Sequence, residues 1–204
     1  GKHHFNFFPK TFVLPKEFEM LKEDMIRDEN LVGGKYWIVK PSGSSQGKGI
    51  FITKSTKDIP RGQQLTVSHY ISNPLTIDKL KFDLRLYVVI TSVNPLRIYM
   101  FEEGLVRFAS REYEPPDGRT NTKDGRYIHL TNYAVNKGNK TGLIASHDEA
   151  EEASGCKWSL KGLKQVLGEH GVNEQRLFSR IKDLVIKTVV SAEQVLVNAN
   201  ELNV

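Results

Sequence analysis

Apolar residues recur at two different periods along this chain. Near the start, Phe5 to Pro9 and Thr11 to Pro15 read as extended, because each proline disfavours helix in the residue before it. Between Lys16 and Arg27 the period lengthens. Phe18, Leu21, Met25 and Ile26 fall at helical spacing, which predicts a short helix with Pro15 in its first turn. From Tyr36 to about Ala109 the period is mostly two. It predicts strands over Tyr36 to Lys40, Ile50 to Thr53, Thr66 to Ile71 and Phe82 to Ser92, then a hairpin of Leu96 to Phe101 with Leu105 to Ala109 around Glu103-Gly104. Glu114 to Arg126 and Gly138 to Ser154 are polar and read as surface loops. The last part is helical. Trp158 to Leu167 is one segment, and Glu174 to Leu196 carries Leu177, Ile181, Leu184, Val185, Thr188 and Val189 on one side, with Asn173 as its cap. Strands first and helices last predict an α+β fold, mostly antiparallel, with flanking helices.

Composition narrows the class without naming a function. The chain has 204 residues, 39% of them hydrophobic and 26% charged, which excludes collagen-like and low-complexity polymers. No apolar run approaches the roughly 20 residues of a membrane helix, no signal peptide is visible, and no internal repeat occurs. One cysteine, Cys156, cannot build a disulfide framework or a Cys-based zinc cluster, and fits a reducing compartment. The six histidines show no metal-ligand spacing. The net charge of +5, from 29 Lys+Arg against 24 Asp+Glu, suits an acidic partner but does not choose one.

Chemistry enters with Pro41-Ser42-Gly43-Ser44-Ser45-Gln46-Gly47-Lys48-Gly49. It is not a Walker A loop: three residues separate Gly43 from Gly47, and a glycine follows Lys48. It lies between two β-branched runs, so it joins strands. Such a loop can close over phosphates with its backbone N–H groups or be a plain hairpin turn. Lys40 ends the strand before it, well placed for a phosphate oxygen. In Lys81-Phe82-Asp83-Leu84-Arg85, alternation puts Lys81, Asp83 and Arg85 on one face, about 6–7 Å apart, while Phe82, Leu84, Leu86, Val88 and Ile90 pack on the other. Those cations suit a polyphosphate, and the carboxylate a ribose hydroxyl. A solvated face with a cross-strand ion pair fits equally well. Arg107 adds a guanidinium with its neighbours Val106 and Phe108 on the opposite face. His129-Leu130-Thr131-Asn132-Tyr133 is unusually polar for strand-like surroundings, and offers Thr and Asn donors or simply a turn.

These motifs come in an order that resembles the tubulin tyrosine ligase-like family: Phe8-Pro9-Lys10-Thr11-Phe12-Val13-Leu14-Pro15, Trp37-Ile38-Val39-Lys40-Pro41, Lys81-Phe82-Asp83-Leu84-Arg85, His129-Leu130-Thr131-Asn132-Tyr133-Ala134-Val135-Asn136-Lys137, Lys157-Trp158-Ser159-Leu160 and Lys187-Thr188-Val189-Val190-Ser191. The resemblance implies part of an ATP-grasp fold and a ligase that uses ATP and Mg2+ to activate a carboxylate as an acyl-phosphate, which an amino acid's amine then attacks. It implies that Lys40 meets the ATP phosphates and that Gln46, Gly47, Lys48 and Gly49 form the mobile flap. Ser68, His69, Tyr70 and Ile71 match the adenine hinge. Lys81, Asp83, Thr131 and Asn132 match further nucleotide contacts, with Asp83 near the ribose. Arg85 and Arg107 match catalytic arginines at the γ-phosphate, Arg107 also meeting the incoming amino acid with Tyr133 and Lys157. No metal ligand is assigned within the chain.

The stretch from His129 to Lys137 is closest to the glutamylating branch. That implies a tubulin (poly)glutamylase using free glutamate, bound to microtubules through acidic tubulin tails. It implies a cytoplasmic monomer at the cytoskeleton, cilium or basal body, without nucleic-acid or membrane partners. A glycine or tyrosine ligase of the same family, or a non-catalytic tubulin-binding module, are the alternatives. The chain departs from the family at Ser68, often Gln, at Gln46, often Arg, and at Cys156, often Ser in the glutamylating branch. The family's metal-holding Gly-x-Asp does not follow Leu196, and Glu201-Leu202-Asn203 follows a helix too closely to be the Glu-x-Asn strand. The expectation is a partial catalytic domain, with the amino-terminal domain and the last metal-binding strands lying elsewhere.

Overall fold

A computed structural model of the chain describes residues 5–30, 33–139 and 157–201. Cys156, Asn203, His3, His4, His147 and nearly all of the predicted loop from Gly138 to Ser154 lie outside them. The chain divides into two compact units. One comprises Phe8–Phe82 and Phe108–Ala145, the other Gly1–Phe7, Asp83–Arg107 and Ser146–Val204. The elements are β1 (Thr11–Leu14), α1 (Phe18–Glu29), β2 (Trp37–Pro41), β3 (Phe51–Thr53), β4 (Leu65–His69), β5 (Thr76–Ile77), β6 (Leu80–Val93), β7 (Leu96–Glu112), α2 (Lys123–His129), α3 (Tyr133–Asn136), β8 (Lys157–Ser159), α4 (Leu160–Glu169) and α5 (Glu174–Glu201). One sheet has strand order β1-β4-β2-β3 and the other β5-β6-β7-β8. The pairings given below are antiparallel, so the fold is α+β as the pattern predicts.

In the first unit, alternate residues of the sheet point into one core. Phe12 pairs with Val67, and Val67 with Val39. Together with Leu14, Trp37, Leu65 and Ile59 they are buried with Leu21 and Met25 of α1. The inner stripe of α1 is Leu21, Asp24, Met25 and Asp28, a run of i, i+3, i+4, i+7. Ile26, expected on that stripe, is 48% exposed. Two carboxylates hold inner positions because the surroundings supply cations. Lys10 and Arg27 pair with Asp24, and Lys35 and His69 with Asp28. Periodicity counts apolar residues only, so acids carried into a core edge by their partners were not foreseen.

The remaining strands and helices correct three further expectations. Leu96 to Glu112 is one continuous strand with no hairpin at Glu103-Gly104; the chain reverses at Asn94-Pro95, between β6 and β7. Gly104 serves close backbone approach instead. A Cβ there would lie 2.5 Å from the Arg85 carbonyl oxygen and 3.2 Å from the Leu160 side chain. The apolar face of β6 is buried only in part: Leu84 and Leu86 are half-buried, but Val88 and Ile90 are each 37% exposed. Packing is concentrated at the other end of the second unit, where Val106 pairs with Trp158 and both are buried with Leu160, Leu163 and Leu167 of α4. Ser159 caps α4 by accepting from the Gly162 N–H at 3.0 Å. Asn173 caps α5 as predicted, accepting from the Arg176 N–H at 2.8 Å. Along α5, Val189 is buried, while Leu184 and Thr188 of the predicted inner side are exposed.

Candidate functional site

The glycine loop joins β2 to β3, and its conformation depends on two helices. Gly47 is buried and has φ +78°. Its carbonyl accepts from Arg126 Nη2 at 2.8 Å. A Cβ on Gly47 would stand 3.0 Å from Asn132 Oδ1 and 3.0 Å from Val135 Cγ2. Gln46 adopts φ +60°, a left-handed conformation uncommon outside glycine. Gly47→Ala therefore meets both a backbone penalty and a contact with the 132–135 turn. Its expected effect is a destabilisation of about 1–2 kcal/mol and at least tenfold weaker nucleotide binding, read by titrating a fluorescent ATP analogue.

The loop walls a groove of about 330 Å³ whose lining includes Lys40, Ser44, Lys48, Thr66 and Asn132, with no acidic residue. Ammonium, hydroxyl, amide and loop N–H donors form a set that fits a polyphosphate. Asn132 reaches the groove because Asn136 ties down the turn. Buried Asn136 Oδ1 accepts from the Ser110 N–H at 2.9 Å and from Ser110 Oγ at 2.7 Å, while its Nδ2 donates to the carbonyls of Leu130 (2.7 Å) and Asn132 (3.0 Å). Thr131 and Asn132 thus lie between two helices. The expected loop from Glu114 to Arg126 ends where Thr122 caps α2, and the strand-like reading around His129 is replaced by the end of α2 and the start of α3. Asn121 ties the loop to β3, its side-chain amide bonding both the N–H (2.8 Å) and the carbonyl (2.7 Å) of Ile52.

Lys81 enters a polar cluster in the same unit. Its Nζ donates to the Tyr70 hydroxyl and to the His129 carbonyl, each at 3.0 Å, and lies 4.5 Å from the Tyr70 ring centre. The Tyr70 hydroxyl is 2.9 Å from His129 Nδ1. Burial, followed by the Lys81 charge, pushes the His129 pKa down from 6.5 to about 4. Burial, followed by Tyr113, pushes Tyr70 up. A neutral imidazole can accept the Tyr70 proton while the phenol oxygen accepts from Lys81, so the ammonium keeps a fixed direction.

His129 also makes stability depend on pH. Between pH 6.5 and about 4 the unfolded chain binds a proton that the folded chain refuses, so acid favours unfolding. We expect stability to be full above pH 6.5 and to fall by roughly 2–3 kcal/mol as the pH drops through that window to 4. Urea denaturation at pH 7 and pH 5 checks it: His129→Gln should flatten the difference. His69, also lowered, chiefly by burial, adds in the same direction.

The residues that the resemblance matches to an adenine hinge bond to protein partners. Ser68 Oγ lies 2.9 Å from Thr11 Oγ1, the His69 ring bonds Asp28, and the His69 and Tyr70 N–H groups donate to the carbonyls of Lys10 and Tyr36. Ile71 is 57% exposed.

In the other unit, Asp83, Arg107 and Lys157 form a row. Arg107 donates from Nε to Asp83 Oδ1 at 2.8 Å and from Nη2 to Asp83 Oδ2 at 2.6 Å, a bidentate pair that keeps the guanidinium charged. Lys157 stands directly opposite Arg107 in the β7–β8 register. Of the two sequence readings for Asp83, the cross-strand ion pair is therefore present. Arg85 is exposed, 6.0 Å from the Tyr87 ring centre. Tyr133, in the first unit, is exposed on α3.

The donor set around the glycine loop fits the phosphates of a nucleotide. It does not extend to magnesium. Among the described residues no group of three or more His, Cys, Asp or Glu can hold a metal ion, and Asp83 is engaged by Arg107. Arg126, Asn121, His129 and Asn136 were not singled out from sequence. Asn136 had the one usable signal, a second asparagine one helical turn after Asn132.

These elements define an α+β protein with mostly antiparallel sheets, flanking helices and a groove at the glycine loop lined by cationic and neutral polar side chains. The chain belongs to the tubulin-tyrosine ligase family, whose model matches residues 1–204. It is 40% identical over all 204 of its residues to the tubulin monoglutamylase TTLL4 of Mus musculus. It is 41% identical over 200 residues, 98% of the chain, to the tubulin polyglutamylase TTLL5 of Homo sapiens, and 36% over 207 residues, again 98%, to the tubulin polyglutamylase ttll-5 of Caenorhabditis elegans. It spans 16%, 15% and 28% of those proteins. Its similarity lies with the glutamylase branch. No described helix is long and apolar enough to cross a membrane.

Proposed function

We propose that this chain is the nucleotide- and amino-acid-binding part of an ATP-grasp ligase that adds glutamate to glutamate side chains of tubulin tails. The observation that carries the proposal is the row Asp83–Arg107–Lys157. Asp83 orients the Arg107 fork, and Lys157 sets a second cation on the adjacent strand. Two neighbouring cations suit a dicarboxylate amino acid better than glycine or tyrosine, which bring one carboxylate. Lys40, the loop N–H groups and Lys81 would hold the nucleotide phosphates, with Thr131 and Asn132 as further donors. ATP, when bound, supplies the phosphoryl group that activates the acceptor carboxylate. The protein's part is to orient the reactants and hold cations where charge develops. The derivation stops short of magnesium, for which the described residues supply no ligand set. The enzyme would act as a monomer at cytoplasmic microtubules, including those of the cilium or basal body. The test incubates the full-length protein with ATP, magnesium, tubulin and labelled glutamate, glycine or tyrosine in parallel. Label entering from glutamate alone is expected; label from glycine or tyrosine instead sinks the assignment.

A further inference from the structure

Between Ser42 and Gly49 the glycine loop has one buried residue, Gly47, and the others are exposed. Arg126 of α2 holds it there, its Nη2 donating to the Gly47 carbonyl across 79 positions of sequence. The bond has a cost within the same side chain. Arg126 Nε is buried and has no hydrogen-bond partner among the described residues. A buried donor left unsatisfied calls for a compensating role, and the contact with the loop supplies one. The backbone that carries Arg126 is fixed as well. Thr122 Oγ1 accepts from the Gly125 N–H at 3.1 Å and donates to the Arg119 carbonyl at 2.7 Å, which sets the first turn of α2. Glycine is required at 125, where a Cβ would collide with the carbonyl oxygens of Arg119 and Thr120. From the same segment, Asn121 bonds Ile52 just past the loop.

Arg126 lines a groove of about 470 Å³ on the α2 side of the loop and is absent from the lining of the groove that holds Lys40, Ser44 and Asn132. Gln46 and Lys48 line both, so the loop is their common wall. Arg126 therefore engages the Gly47 carbonyl from the side away from Lys40. That oxygen, an acceptor that would repel phosphate, is occupied by a donor.

We propose that Arg126 is a positioning residue of the ligation proposed above, on which reading the inference rests. It acts through the loop and touches neither the nucleotide nor the amino acid. A loop already fixed in one conformation loses less freedom when its ligand binds. The bond strengthens nucleotide binding in this way, by keeping Ser44, Lys48 and the loop N–H groups around the phosphates. The mobile flap that the resemblance implies then moves at Gly47 only by breaking it.

The test uses the full-length protein with Arg126→Met, which keeps the side chain's length and helix preference but not its donors. Trypsin cleavage after Lys48, followed by mass spectrometry in the absence of ATP, reads the loop directly. Cleavage there is expected to quicken by about fivefold or more, while cleavage after exposed Lys57, outside the loop, stays unchanged. In turnover, KM for ATP should rise by about fivefold or more, with kcat within about twofold of wild type and KM for glutamate unchanged. Arg126→Lys can still donate to the carbonyl and should recover part of both effects. Arg126→Met and Gly47→Ala release the same point, so their effects on ATP binding should multiply to less than independent changes would. Unchanged cleavage after Lys48 overturns the inference, and so does equal acceleration at Lys57, which marks a general loss of fold. A wild-type KM for ATP overturns it too, as does a rise in KM for tubulin instead, which would make Arg126 a contact of the other groove. If the wild type binds no fluorescent ATP analogue yet the variant is cleaved faster after Lys48, the nucleotide reading fails and the latch on the loop stands.

Discussion

Arg107→Ala is expected to lower kcat/KM for glutamate by about 100-fold or more while the protein remains folded. Arg107 contributes the planar fork of the Asp83–Arg107–Lys157 row, and its alanine variant leaves the Asp83 carboxylate without that partner, facing the place where the proposed function puts the glutamate. Site and stability separate here for a physical reason. The Asp83 side chain is 38% exposed, so water can solvate it once its partner is gone, and the stability cost stays near 1 kcal/mol or below. Arg107→Lys keeps the charge but not the two parallel N–H donors, and should recover only part of the activity. Labelled-glutamate incorporation over a range of glutamate concentrations, with thermal melts of each variant, decides it. Wild-type turnover in Arg107→Ala would remove the site claim.

Asn136→Ala should be strongly destabilising, at about 3 kcal/mol. The side chain is 1% exposed, and its four bonds satisfy the Ser110 N–H and hydroxyl and the carbonyls of Leu130 and Asn132. Alanine leaves buried polar groups without partners and frees the turn that presents Thr131 and Asn132. Urea denaturation measures the loss, and nucleotide titration of the folded fraction should show weaker binding. Asn136→Asp tests the mechanism: it keeps the acceptor toward Ser110 but loses the two donated bonds, and should still be destabilised. A stability within about 0.5 kcal/mol of wild type for Asn136→Ala would refute the account.

Local signals predicted local structure well. The strand pair around the glycine loop, the loop's strand-joining role and the Asn173 cap are set by neighbours in sequence, and they stand where the pattern puts them. Glu103-Gly104 misled because glycine has two uses. The local pattern marks a turn former, but Gly104 is required by the nearby Arg85 carbonyl, a partner 19 positions away along the chain. The burial of Asp24 and Asp28 was hidden for a similar reason, since Lys10, Lys35 and His69 reach α1 from outside it.

The sequence by itself determined the α+β class and the family, and named the candidate site residues, because strand alternation, turn chemistry and ordered motifs are written along the chain. Tertiary structure alone decided how those residues are held. Lys81 is aimed by Tyr70 and His129, Arg107 by Asp83, Gly47 by Arg126, and the Thr131–Asn132 turn by Asn136. Each of these bonds depends on the three-dimensional direction of a donor and an acceptor. A one-dimensional pattern records that a polar residue is present, but not which other polar group it faces once the sheet has formed.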